Sequence, residues 1–164
     1  MKMHSVNILR TRTGLGHPET AGLVKKAICA ALDSEGVDRP CRVDVTLTDD
    51  ETIRNINYEQ RGVDRPTDVL SFPMNELQPG QFDTEICEID MDTGDIFLGD
   101  MVISVPRCQV QGEEYGHGYK REVSYLAVHS VLHLLGYDHI DEGEDKRLMR
   151  AREEAVMSRL GTVR

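Results

Sequence analysis

Nowhere in the 164-residue chain does an apolar run approach the roughly 18 residues needed to cross a bilayer. The segment Met1–Arg12 lacks the apolar stretch of a secretory leader. No Cys-x-x-Cys pair occurs: Cys29, Cys41, Cys87 and Cys108 stand 12, 46 and 21 residues apart. That spacing supports neither a zinc ribbon nor a thioredoxin-like site, so four free thiols in a reducing cytosol are expected. Internal repeats, low-complexity tracts and Pro/Ser-rich linkers are also missing, which leaves one domain over residues 1–164. Together these absences exclude a membrane protein, a disordered tail and a secreted disulfide scaffold. A cytoplasmic globular protein is expected, and its 39% hydrophobic and 29% charged residues agree.

A further absence is local. Between Pro66 and Pro106 there is no Lys or Arg, while nine acidic residues occur, from Asp68 to Asp100. The net charge of −10 is concentrated there, and the remainder carries 19 basic against 20 acidic residues. Lys146, Arg147, Arg150, Arg152 and Arg159 crowd the C-terminal segment, so total charge does not exclude a nucleic-acid partner.

What is present reads as strands mixed with helices, an α/β (α+β) layer fold. Val6–Leu9 and the alternating Val43–Leu47 are expected strands, and Asp68–Phe72 a short edge strand closed by Pro73. Ile96–Ser104 completes the set. A helix is expected from Pro18–Glu19 to a stop at Gly36, and a second, capped by Thr48 or Asp49, to about Tyr58. Asn75–Gly94 reads as a solvated acidic hairpin. Helices follow over Pro106–Tyr115, Tyr119–Leu135 and Glu142–Leu160.

Three of the six histidines fall within eleven residues, at His129, His133 and His139. The first two, four apart on a helix, share one face and can bind one metal ion. Gly136 permits a left-handed turn that can bring His139 back as a third ligand. Three histidines with an open fourth position suit a catalytic zinc ion, and unpaired imidazoles in so apolar a helix would each cost roughly 1–3 kcal/mol. His4, His17 and His117 lack such a context and are expected at the surface. The same spacing occurs in metzincin proteases, but the residue after the first histidine is Ser130 where those carry a glutamate base. Asp138 and Glu122 are the nearby acids. A second stretch, Arg61–Pro73, joins a basic loop to the edge strand. Its arginines either meet a phosphate or pair with Asp64 and Asp68 to fix the loop.

The histidine signature, the Arg61–Pro73 segment with its Thr67–Phe72 core, and Gly99–Asp100 before an apolar strand together resemble the YbeY family. These are bacterial single-strand-specific endoribonucleases of ribosomal RNA maturation. The resemblance implies a small mixed β-sheet covered by helices, with a three-histidine metal site in a groove. It implies one Zn2+ on His129, His133 and His139, with Arg61 and His129 serving catalysis. It also implies single-stranded RNA as substrate, processing of the 3′ end of 16S ribosomal RNA, ribosome quality control, and the small ribosomal subunit and its proteins as partners. The acidic segment Glu76–Asp95 departs from the family pattern. Metal-assisted phosphodiester hydrolysis is the expected chemistry, with water or the RNA 2′-hydroxyl as nucleophile. Two other readings remain: a non-catalytic ribosome-assembly factor with structural zinc, and a metallopeptidase that pairs substrate with the edge strand.

Overall fold

Alternation in Cys41–Thr48 makes strand β2, whose Val43, Val45 and Leu47 are buried while intervening residues are partly exposed. The computed structural model describes residues 4–138 and 143–161. In it β2 pairs in parallel with β1 (Ser5–Arg10) on one side and with β4 (Ile96–Ser104) on the other. Strand β3 (Val69–Pro73) runs antiparallel to β4 at the sheet edge, giving the order β1-β2-β4-β3. Pro73, which has no N–H to give a ladder, ends that edge strand as expected.

Helix α1 (Thr20–Ser34) links β1 to β2 and buries Val24, Ala27, Ile28, Ala31 and Leu32. It begins just after Pro18–Glu19, and its opening turn is tied by the His17 N–H donating to Thr20 Oγ1 at 2.9 Å. Helix α2 (Asp50–Arg61) is capped by Asp49, whose carboxylate accepts the Thr52 N–H at 2.8 Å, a cap worth about 1 kcal/mol. It ends at Gly62, in the left-handed region at φ 72°, so Arg61 is its last residue. Three more helices follow: α3 (Val105–Glu114), α4 (Gly118–Leu134) and α5 (Glu144–Leu160). The mixed sheet with covering helices agrees with the sequence expectation.

Helix α4 is the centre of the molecule. It packs on α1, α3, α5, β3 and β4, and it buries side chains over most of its circumference, from Val123 to Leu134. A helix apolar on most sides belongs inside a fold. Its half-buried positions after the first turn form one row at Arg121, Tyr125, His129 and His133. Spacing by four stacks these on a single face.

Side chains alternate along β3, so Leu70 and Phe72 join Ile53, Ile56 and Val102 in a small core beneath α2. Ser71 faces the other way, and its Oγ meets Ser130 Oγ on α4 at 2.6 Å. Gly99 sits at a shift in the β2–β4 register, with φ 140°. A Cβ there would strike the Phe72 carbonyl and the Met74 backbone, so the bulge requires glycine.

The acidic segment is not a solvated hairpin. It contains a single 3-10 turn, Thr84–Ile86, and is fastened to the sheet. Asn75 is buried; its Nδ2 donates to the Phe97 carbonyl at 3.0 Å and its Oδ1 accepts the Glu88 N–H at 2.8 Å. Leu77, Phe82 and Cys87 pack on the main core, and Arg42 Nη1 donates to Asp90 Oδ2 at 2.8 Å. The intervening apolar residues hold the segment down while most of its carboxylates face solvent. No disulfide joins any of the four cysteines, as expected. Burial pushes the Cys41 thiol up to about 12 and Cys108 higher still, which makes both inert.

Candidate metal centre

His129 and His133 present Nε2 to Nε2 at 3.1 Å, with ring centroids 4.6 Å apart and planes at 86°. What lies behind each ring decides what those nitrogens are. His133 Nδ1 donates to the Tyr137 carbonyl at 3.0 Å. A carbonyl oxygen only accepts, so Nδ1 carries a proton, and in the neutral ring Nε2 presents a lone pair. His129 Nδ1 meets Oε2 of Glu153, a buried residue of α5 whose Oε1 accepts the Tyr125 hydroxyl at 2.8 Å. Burial pushes the Glu153 carboxyl up. The hydrogen bond and charge of His129, with Tyr125 and Arg150 adding less, outweigh it and hold Glu153 below the usual glutamate range. Ionised Glu153 accepts from Nδ1, so in the neutral His129 ring Nε2 is the lone pair as well.

Two lone pairs facing each other at 3.1 Å repel unless a cation lies between or beside them. Two nitrogens on one zinc ion, each at about 2.0–2.1 Å, stand no more than about 4.2 Å apart. The pair therefore fits a metal, and its outward Nδ1 bonds to a carboxylate and a backbone carbonyl are the kind that orient histidine ligands. His139, the third expected ligand, lies outside the described residues. Among the described residues no group of three His, Cys, Asp or Glu forms a metal cluster.

The turn after α4 supplies the Tyr137 carbonyl. Gly136, at φ 102°, donates its N–H to the His133 carbonyl at 3.0 Å, and Tyr137 N–H reaches the Leu132 carbonyl at 3.0 Å. A Cβ on Gly136 would collide with the Leu77 carbonyl, so this glycine allows the acidic segment to close on the turn. The Tyr137 hydroxyl donates to Glu35 Oε1 at 2.5 Å, and Arg152 Nε donates to Glu35 Oε2 at 2.7 Å. Burial, with Glu35 beside it, pushes the Tyr137 hydroxyl up to about 12, so it stays a donor. The His133 orientation is thus anchored through α1 and α5.

The two imidazoles line a groove of about 1040 Å³ together with Arg61, Asp68, Ser71, Asn75 and Asp138. Asp138 therefore lies with the histidines. Glu122 does not; it is buried two turns earlier on α4, accepting from Gln111 Nε2 at 2.8 Å and paired with His117 Nε2 at 2.6 Å. The acids that were candidates to neutralise the arginine loop are engaged elsewhere. Asp64 pairs with Arg54 Nε at 2.8 Å, while Asp68 accepts the Val69 N–H at 2.7 Å and Gln111 Nε2 at 3.2 Å. Among the described residues Arg61 and Arg65 form no ion pair, and Arg61 lines the groove. Ser130 is buried against Ser71, where a hydroxyl braces the sheet.

Two surface expectations need correction. His4 is buried, because its Nδ1 accepts the Cys41 N–H at 3.2 Å at the start of β2. His117 is half-buried by its bond to Glu122, while His17 is exposed as expected. Sequence reasoning also missed Glu153. Its signal was a carboxylate in line with Met149, Val156 and Met157, the buried face of α5.

Replacing Glu153 with glutamine keeps the volume and removes the charge behind His129. Zinc affinity is expected to fall about 10–100-fold while the fold is retained. Competition with a chromophoric chelator measures this, and an unchanged affinity would detach Glu153 from the metal.

The sequence model of the family described as endoribonuclease YbeY matches residues 7–161. An endoribonuclease YbeY of Clostridium kluyveri is 46% identical over 143 residues, covering 84% of this chain and 87% of that protein. That of Acetivibrio thermocellus is 44% identical over 146 residues, covering 89% and 90%. The solution structure of TM1509 from Thermotoga maritima shares the fold at a TM-score of 0.56 and 22% identity, over 96% of this chain and 92% of that one.

Proposed function

Since the chain belongs to the endoribonuclease YbeY family, hydrolases of phosphodiester bonds in RNA, we propose that it is a zinc-dependent, single-strand-specific endoribonuclease of ribosomal RNA. In this reading it matures the 3′ end of 16S ribosomal RNA and serves ribosome quality control in the cytoplasm, with the small ribosomal subunit and its proteins as partners. No helix among the described residues is long and apolar enough to cross a membrane. The facing Nε2 atoms of His129 and His133, in a groove that Arg61 also lines, support the reading most directly.

His129, His133 and His139 would hold one zinc ion, which when bound supplies Lewis acidity toward water and a phosphoryl oxygen. The chain's own residues do the rest. Glu153 and the Tyr137 carbonyl keep both Nδ1 atoms protonated and the imidazoles directed into the groove. Arg61 binds non-bridging phosphate oxygens and offsets the charge that grows as phosphorus becomes five-coordinate. Ser130, buried and tied to Ser71, offers no general base, which weighs against peptidase chemistry.

The test is a labelled RNA carrying the 3′ segment of 16S ribosomal RNA, offered single-stranded, as a duplex, and as DNA of the same sequence. Only the single-stranded RNA should be cut. The rate should fall steeply with salt, because each phosphate contact contributes about −0.7 to the log–log slope. Equal cutting of the duplex, or a flat salt response, would overturn the reading. A 2′-deoxy substitution at the scissile nucleotide separates the nucleophiles: retained cleavage assigns the attack to water, lost cleavage to the 2′-hydroxyl.

A further inference from the structure

His129 lines a second cavity besides the groove. This one, of about 250 Å³, opens between α4 and α5, and its remaining walls are Tyr125, Lys146, Met149, Arg150 and Glu153. His129 thus borders both recesses, one lined also by Arg61 and the other by α5. The second recess has its own chemistry. Lys146 and Arg150 are four apart on α5 and so share one face. The Glu153 carboxylate at its floor is already spent on Tyr125 and His129, so it does not claim the arginine. Arg150 is exposed and enters no ion pair among the described residues, yet its charge is felt at both Tyr125 and Glu153. Tyr125 adds a flat aromatic wall, its ring lying 28° from the plane of His129 with centroids 6.0 Å apart. A cationic pair beside a half-buried aromatic face is the combination that holds single-stranded nucleic acid, phosphate to cation and base to ring.

We propose that this recess is a nucleotide subsite: it takes the residue of single-stranded RNA next to the scissile bond, its phosphate on Arg150 and Lys146 and its base against Tyr125. The strand then runs from the Arg61 groove across His129 and down onto α5. This subsite rests on the endoribonuclease reading, which it extends. It also gives a place to basic residues of the C-terminal segment in a chain whose net charge is −10.

Binding of a fluorescent single-stranded oligoribonucleotide, followed by anisotropy from low to moderate salt, tests the subsite apart from chemistry. Arg150→Ala should raise the dissociation constant about three- to tenfold and flatten the salt slope by about 0.7. Arg150→Lys should restore most of both. Arg147→Ala is the control, since it removes the same charge from the same helix. Arg147 pairs with Glu144 at 2.9 Å and does not line the recess, so its loss should change neither quantity. Equal weakening by Arg147→Ala and Arg150→Ala would reduce the effect to general electrostatics and overturn the subsite. So would an unchanged Arg150→Ala, or a wild-type protein that binds no RNA. Binding that depends on Arg150 in a protein that cuts nothing would instead sink the endoribonuclease reading and leave an RNA-binding recess with no scissile bond beside it.

Discussion

His133→Ala is expected to empty the metal site and abolish RNA cleavage while leaving the fold intact. The substitution removes one of two lone pairs that face each other at 3.1 Å, so whatever cation they share loses half of the described donor set. Helix α4 should not suffer, since alanine is the best helix former and position 133 is only half-buried. The exposed cost is one unpaired carbonyl, that of Tyr137, at the edge of a wet groove. Zinc content by elemental analysis and cleavage of labelled single-stranded RNA should both drop to background. The two proteins must be purified side by side, because a contaminating ribonuclease would cut equally in both. Zinc retained by the variant would contradict the ligand assignment. Zinc lost, with no cleavage by the wild type either, would move the reading to an assembly factor with a structural ion.

The histidine pair was legible because a helix converts a spacing of four into a shared face, whatever surrounds it. The Gly136 stop and the edge strand closed by Pro73 were legible for similar reasons, each resting on one residue's backbone limits. The supports of the site were not. His133 is oriented by a backbone carbonyl, an acceptor that every residue has and no sequence marks. Tyr137 is held by Glu35, which Arg152 also binds, and those three come from the residue after α1, the turn after α4, and α5. Only the folded chain brings them together. The acidic segment misled because its carboxylates dominate its composition, while its attachment depends on Asn75, Leu77 and Phe82 scattered among them. His4 misled in the same way: the partner of its Nδ1 is a strand-end N–H, from Cys41, that no sequence pattern marks.

Arg61→Glu is expected to leave zinc in place and to lower turnover by about 10²–10³ or more, the scale of losing a preorganised donor to a developing oxyanion. Arg61 stands outside the contacts that hold the histidines, which run through Glu153, Tyr137, Glu35 and Arg152. It is the last residue of α2, exposed, and followed by Gly62 at φ 72°. A glutamate there opposes the negative end of the helix, a penalty of only about 0.3–1 kcal/mol that the fold can absorb. At the groove the same change replaces a phosphate-binding cation by an anion facing the substrate. If Arg61 acts mainly on the five-coordinate state, kcat falls more than KM rises, and Arg61→Lys recovers charge without the two-pronged fork, hence only part of the rate. If it only gathers RNA, KM carries the loss and lysine restores nearly all of it. Turnover at the wild-type level in Arg61→Glu would remove Arg61 from the mechanism, and with it the assignment of the groove to phosphate.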